Sequence, residues 1–220
     1  KFHLVFLRLR QTVQLSKGFV QPEVRHHIAE LLPGRLRPEL LKLCQHLGIL
    51  ILAGSIPSSL PQTTYERLLA RLEGHGVHTV VDATRDLLVN VLQYHPFLIK
   101  PNHHELGEIV GRTLTTDADI TAAARTLQEK GARNVLVSMA GDGALLLDEK
   151  GEVHRIGTPK GKVVNSVGAG DSMVAGFVAG YLRSGSYLEA LRLGTACGSA
   201  TAFSLGLAKK EKIDELLNQI

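Results

Sequence analysis

Cysteine is scarce in this chain, with two among 220 residues. Cys44 and Cys197 stand alone, with neither the paired spacing of a metal site nor the density of a disulfide framework. No apolar run reaches the ~18 residues that a membrane span needs. The opening stretch, Lys1 to Val20, carries arginines inside its apolar residues and has no small-residue cleavage site, so it makes a poor secretory signal. These absences favour the cytoplasm and argue against a membrane partner. Aromatic residues make up 5% of the chain. In the basic N-terminal part they are not interleaved with Lys and Arg as in a single-strand binder, which argues against nucleic acid. Internal repeats, low-complexity segments and flexible linkers are absent as well.

What is present is the composition of a globular protein: 44% hydrophobic and 21% charged residues. The length suits one well-buried domain, or one with a small appendage. The net charge of +4 is unevenly placed. Residues 1–48 hold eight basic and three acidic residues, a balance of +5, whereas the rest hold 17 and 18, a balance of −1.

Residues 1–22 show no clean period, and Phe2 to Leu9 stays unassigned. Glu23 to Leu32 and Arg37 to Leu47 read as helices around Pro33-Gly34. Gly48 to Ala53 is a continuous apolar run ending in Gly54-Ser55, the pattern of a buried parallel strand. A helix over Gln62 to Glu73, a strand over Val77 to Val81 ending at Asp82, a short helix over Arg85 to Leu92 and a strand over Phe97 to Ile99 follow. Beyond Lys100-Pro101-Asn102 come helices over His104 to Val110 and Asp119 to Lys130, then a strand over Asn134 to Val137. Ala144 to Asp148 and Val153 to Ile156 read as a hairpin. Three helices close the chain: Asp171 to Arg183, Tyr187 to Phe203 and Lys210 to Asn218. Alternating strands and helices with short connections predict an α/β fold, a parallel sheet with helices on both faces. Ligands of such sheets bind beyond the carboxyl ends of the strands. The polar punctuation at Gly54-Ser55, Asp82, Lys100-Pro101-Asn102 and Ser138 falls there.

The stretch with the most chemistry is Asn165-Ser166-Val167-Gly168-Ala169-Gly170-Asp171-Ser172. Two glycines one residue apart let backbone N–H groups converge, and the helix behind adds its positive end, which suits a phosphate. Asp171 in the first helical turn can cap the helix or accept a proton from a bound hydroxyl. A dinucleotide fingerprint is excluded, because no third glycine follows at the required place.

Asn165 to Phe177 resembles the second signature of the PfkB (ribokinase-like) carbohydrate kinases. Gly54-Ser55-Ile56-Pro57, Lys100 to Leu106 and Val137 to Ala144 agree with the family in the expected order. Within the family the wording is closest to 1-phosphofructokinases and tagatose-6-phosphate kinases. The resemblance runs from about Ile49 to the C-terminus. It implies a three-layer ribokinase-like core over residues 49–220 that transfers a phosphoryl group from ATP, with Mg²⁺, to a sugar phosphate, most readily fructose 1-phosphate. Asp171 would be the base, and the amides of Gly168, Ala169 and Gly170 the anion hole. Asn102 and Glu105 would be the metal-associated pair, Glu105 acting through water; alternatively they form an N-cap and its capping-box partner. Ser138, Gly141 and Gly143 would line the ATP phosphates, although many relatives place a glycine where this chain has Ala140. Thr195 to Ser204 would wall the adenine pocket, or else pack helices closely through Ala196, Gly198 and Ala200. Cys197 reads as a buried small hydrophobe, and His103 and His104 as solvated. Residues 1–48 match poorly: the family's substrate Asp, its Gly-Gly-x-x-x-Asn segment and its lid are not recognisable there. The expectation is an N-terminally incomplete kinase with weak transfer, an exposed sheet edge open to homo-oligomer formation, and, as an alternative, a remnant that binds nucleotide without chemistry.

Overall fold

The computed structural model describes residues 48–56, 58 and 60–220, together with the backbone of residues 5–8. The helices expected over Glu23 to Leu32 and Arg37 to Leu47, and Pro57 of the Gly-Ser-Ile-Pro motif, lie outside the described residues. The chain forms two compact units, Lys1–Ile99 with Leu127–Arg133, and Lys100–Thr126 with Asn134–Ile220.

The first unit is built on parallel strands. β1 (Val5–Arg8) pairs with β2 (Ile49–Ala53), β2 with β3 (His78–Asp82), and β3 with β4 (Leu98–Ile99). β1 falls inside the stretch left unassigned from sequence; its partner is more than 40 residues away, as the register Val5 to Leu50 shows, so no local period announces it. β2 is buried at all five positions, which explains its unbroken apolar run. Helix α1 (Thr64–Leu72) buries Tyr65, Leu68, Leu69 and Leu72, one face at i, i+3, i+4 and i+7. The Tyr65 hydroxyl donates to the carbonyls of Ala53 (3.0 Å) and Gly54 (3.1 Å), and the Gly54 amide donates to Asp82 (2.9 Å). Burial, and then the Asp82 charge, push the Tyr65 phenol well above its ordinary pKa, so it stays a neutral donor.

Helix α2 (Arg85–Val89) is shorter than the sequence predicts, and Leu92–Tyr94 forms a separate 3₁₀ turn. The Gln93 side chain donates to the Asn90 carbonyl at 3.0 Å. His95 takes a left-handed conformation just before Pro96, where a right-handed helix cannot continue.

The second unit contains helix α3 (His103–Val110), most of α4 (Asp117–Glu129), strands β5 (Asn134–Ser138), β6 (Ala144–Leu147) and β7 (Val153–Ile156), and helices α5 (Ala169–Ser184), α6 (Tyr187–Ala202) and α7 (Lys210–Leu217). The expected hairpin is β6–β7, and β6 also pairs antiparallel with β5, Ser138 opposite Ala144. Its turn is closed by Asp148, 1% exposed, whose Oδ1 accepts the amides of Lys150 and Glu152 and whose Oδ2 meets His154 Nε2, each at 2.9 Å. The next residue joins the turn to α6: the Tyr187 hydroxyl donates to Glu149, and the Glu149 amide to buried Asn134 at 2.9 Å.

Burial alone would raise the Asp148 pKa, but the bonds from His154, Glu152 and Lys150 outweigh it and hold the carboxyl below its usual value. A depressed folded-state pKa stabilises the fold above the unfolded value, about 3.9, and that contribution is lost as pH falls through the lower folded value. Urea titrations should therefore show wild type more stable than Asp148→Asn by roughly 1–3 kcal/mol near pH 7. The difference should hold to about pH 5 and shrink below about pH 4. A difference that grows on acidification would contradict this role.

Helices α5 and α6 approach at backbone distance. A Cβ on Gly176 would lie 2.7 Å from Cys197 Sγ and 2.8 Å from the Leu193 carbonyl, and one on Gly180 would lie 2.8 Å from the Ala190 Cα. From the other side, a Cβ on Gly194 would meet the Met173 carbonyl at 2.9 Å. Helix α7 packs on α6 through Leu216 against Ala196 and Ala200, with Phe203 and Ile213 alongside. Among the described residues, no helix is long and apolar enough to cross a membrane.

Candidate active site

The residues given a catalytic, phosphate or metal role from sequence lie in the second unit, whereas the Gly54-Ser55 motif and Asp82 lie in the first. The glycine turn is held from both ends. The Val164 and Asn165 amides donate to the Ala202 carbonyl at 2.8 and 3.1 Å, and the Asn165 side chain accepts the Val167 amide at 3.0 Å. Gly168 then takes φ +82, a left-handed conformation, and occupies the N-cap of α5 with no side-chain cap bond. Asp171 is therefore not the N-cap. It sits half-buried in the first helical turn, where the positive end of α5 favours a carboxylate.

The amide of Ala169 already donates to the Ser166 carbonyl at 3.1 Å, which alters the expected anion hole. The Gly168 and Gly170 amides, at the helix start, have no intrahelical acceptor and are the better placed of the three to meet an anion.

Asn102 and Ser138 form a parallel bridge, and the Ser138 amide donates to the Pro101 carbonyl at 3.2 Å. Two motifs separated in sequence thus lie side by side. Asn102 is the N-cap of α3: its Oδ1 accepts the Glu105 amide at 2.9 Å, and Glu105 Oε2 accepts the Asn102 amide at 2.8 Å. The capping-box alternative describes the arrangement of these two side chains. Both cap acceptors are occupied, so a Mg²⁺ ion fits best through water on the other carboxylate oxygen of Glu105, since Mg²⁺ keeps several waters.

The loop after Ser138 makes one 3₁₀ turn, Ala140–Asp142. Its left-handed residue is Ala140, φ +47, whereas exposed Gly141 keeps negative φ. The loop is pinned by Thr158, whose hydroxyl donates to the Ala140 carbonyl at 2.9 Å. Gly143 has φ +93, and its amide donates to Ala140 at 3.2 Å. With the Ser138 and Gly143 amides engaged, the three residues expected at the phosphates can still offer the Ser138 hydroxyl and the Gly141 amide. The misplaced glycine has a measurable consequence. An alanine in the left-handed region costs roughly 1–2 kcal/mol, partly offset by the ~0.4–1 kcal/mol of extra unfolded-chain freedom that glycine brings. Ala140→Gly should raise stability to urea by about 0–1 kcal/mol. A loss above about 1 kcal/mol would show that the left-handed turn is not the conformation in solution.

Thr195 to Ser204 packs as the helix-packing alternative describes. A Cβ on Gly198 would lie 3.1 Å from the Ala169 carbonyl, and Ala196 and Ala200 are fully buried. Ser204 turns its hydroxyl back onto the Ala200 carbonyl at 2.8 Å. Cys197, expected as a buried small hydrophobe, is half-buried against Gly176, and burial, and then Asp214, push its pKa up to about 11. His104 is exposed as expected, but His103 is half-buried. The two rings lie against each other, tilted by 40° with centroids 3.8 Å apart, and His103 Nδ1 is buried without a hydrogen-bond partner.

Two groups of side chains were missed from sequence. The hydroxyls of Thr201 and Ser172 bond at 2.8 Å, joining the end of α6 to the start of α5; 29 residues separate them and no local motif marks the pair. Asp148, Glu152 and His154 bring one ligand atom each within 4.8 Å of one another. Both Asp148 oxygens are already committed to the hairpin turn, so this group serves as its closure.

The pfkB family carbohydrate kinase model matches residues 21–213. The chain belongs to the pfkB family of carbohydrate kinases. The match takes in residues ahead of Ile49, where the resemblance read from the motifs begins. A 1-phosphofructokinase of Bacillus subtilis is 47% identical over 176 residues, covering 80% of this chain and 58% of that protein. A D-tagatose-1-phosphate kinase of Bacillus licheniformis is 38% identical over 172 residues, 78% of this chain and 56% of that one. Among solved structures, the phosphofructokinase-2 of Escherichia coli is 29% identical with a TM-score of 0.74, covering 82% of this chain and 60% of that one; its inhibited form is tetrameric. This pfkB chain thus spans well under two thirds of the length of these relatives. Its fold is the three-layer, mostly parallel α/β fold of the ribokinase-like kinases.

Proposed function

We propose that this pfkB chain carries the phosphoryl-transfer part of an ATP-dependent ketose-phosphate kinase whose acceptor is fructose 1-phosphate and whose product is fructose 1,6-bisphosphate. The observation that carries the reading is the glycine turn at the start of α5, with Gly168 left-handed and Asp171 one turn in. Asp171 takes the proton of the sugar's C6 hydroxyl as that oxygen attacks the γ-phosphorus. The bond from phosphorus to the β-phosphate oxygen breaks, and ADP leaves. The Gly168 and Gly170 amides stabilise charge on the transferring group, and Ser138 and Gly141 meet the phosphates of the nucleotide. Glu105, beside Asn102, would hold a water of a Mg²⁺ ion, which would neutralise phosphate charge when bound. Such chemistry is mostly positioning and electrostatics, so one carboxylate and a few amides form a sufficient set.

A second reading keeps the chemistry and changes the sugar. The identity to the Bacillus licheniformis kinase favours tagatose 1-phosphate over the tagatose 6-phosphate expected from the motifs. The core over residues 49–220, a homo-oligomeric state and a cytoplasmic location belong to the same proposal. Calorimetry with ATP–Mg²⁺, run beside an ADP-release assay on each ketose phosphate, tests it. Release with fructose 1-phosphate supports the first reading, and release with a tagatose phosphate alone supports the second. Binding without release with any sugar identifies a nucleotide-binding remnant, and failure to bind ATP overturns all three.

A further inference from the structure

We propose that Thr201 is a positioning residue that locks the loop Phe203–Ala208 to the start of α5, so that the nucleotide side of the site and the Asp171 turn keep one register. The assignment rests on the functional reading above for its kinetic consequence, but on geometry for the coupling itself.

Thr201 is 2% exposed. A Ser or Thr hydroxyl inside a helix ordinarily bonds the carbonyl four residues back, as Thr121 does to Asp117 at 2.7 Å and Ser184 to Gly180 at 2.8 Å. Thr201 instead sends its proton across to Ser172 Oγ at 2.8 Å, one residue beyond Asp171. The same oxygen accepts the Ala208 amide at 3.4 Å, which a hydroxyl with one donor and two lone pairs can do together. Its Cγ2 methyl lies 4.0 Å from where a Cβ of Gly168 would be, and its backbone carbonyl accepts the Ser204 amide at 3.1 Å. One buried residue with a stiff χ1 therefore bonds Ser172 of α5 through its hydroxyl, and holds the following loop at Ala208 through that hydroxyl and at Ser204 through its carbonyl. Leu207 of that loop comes closer still to Gly168, 3.6 Å from the same Cβ position. No other described side chain makes this set of contacts.

The test compares Thr201→Val, which keeps shape and loses the hydroxyl, with Thr201→Ser, which keeps the hydroxyl. Circular dichroism and urea melts confirm that each folds. Amide exchange is read at Ser172 and Ala208, with Ile51 of the first unit as a reference. Thr201→Val should speed exchange at both sites about tenfold and leave Ile51 unchanged; Thr201→Ser should stay within about threefold of wild type. In the ADP-release assay Thr201→Val should raise the ATP KM and lower kcat together, each about tenfold, with rescue by serine. A purely structural role would lower the melting midpoint without that joint shift. Wild-type exchange at Ser172 and Ala208 in Thr201→Val overturns the coupling, whatever the activity. Inactive wild type with faster paired exchange refutes the functional reading and leaves the coupling standing. Should Thr201→Val fail to fold, Ser172→Ala removes the other hydroxyl, and unchanged exchange at Ala208 in that variant overturns the proposal equally.

Discussion

Replacing Asp171 by asparagine is expected to lower kcat for phosphoryl transfer by roughly 10²–10⁴ while leaving the affinity for ATP–Mg²⁺ within about threefold. The substitution keeps size and hydrogen-bonding reach but removes the only function assigned to the carboxylate, acceptance of a proton from the attacking hydroxyl. Gly168 fixes the turn by its left-handed backbone, and the amides at the helix start are main-chain groups that the substitution leaves in place. Nucleotide binding should therefore survive. ADP-release kinetics and calorimetry on the same preparation separate the two quantities. Retained turnover would remove Asp171 from the base role. Loss of both turnover and binding would mean that its charge organises the turn instead of receiving a proton.

Gly143→Ala should be among the most destabilising single-methyl additions in the chain, costing roughly 3 kcal/mol or more. The residue has φ +93 and ψ −130, a region nearly reserved for glycine. A Cβ there would lie 2.0 Å from the Ile156 carbonyl and 2.8 Å from the Gly157 backbone. Both neighbours are main chain, so no side-chain rotation relieves the overlap. The end of β7 or the loop itself has to move. The Met139 amide, which donates to the Gly143 carbonyl at 2.9 Å, would move with it. For a chain of this size a 3 kcal/mol loss lowers the melting midpoint by roughly 6–12 °C. An unchanged midpoint would mean that the loop adopts another path in solution. ATP affinity measured well below the midpoint should also fall, because Ser138 and Gly141 belong to the same turn.

Most elements were legible because their signals are local. The buried run Ile49–Ala53, the i, i+3, i+4, i+7 face of α1 and the glycine turn before α5 each declare themselves within a dozen residues. What stayed hidden depends on partners far along the chain. β1 exists through its pairing with β2. The helix expected over Arg85 to Leu92 ends early, and the left-handed stop at His95 follows from Pro96, which bars a right-handed helix at the residue before it. The site shows the same division. The residue types of the four motifs could be quoted from sequence, but the bridge between Asn102 and Ser138, the use of the Ala169 amide by Ser166, and the hydroxyl pair of Thr201 and Ser172 are tertiary facts. Ala140 is an intermediate case. The shifted glycine was visible in the sequence, and its cost became physical only with the left-handed φ at position 140.

The close approach of α5 and α6 carries a genetic consequence. Any single-base missense change in a glycine codon creates a residue with a Cβ, and Gly176, Gly180, Gly194 and Gly198 all face occupied space at about 3 Å. In a saturation scan of every position these four should reject even alanine, as two pairs each spaced by four, whereas the exposed positions of the same helices should accept it. Ala175 and Leu188, both exposed, mark the permissive background against which those rungs would be read.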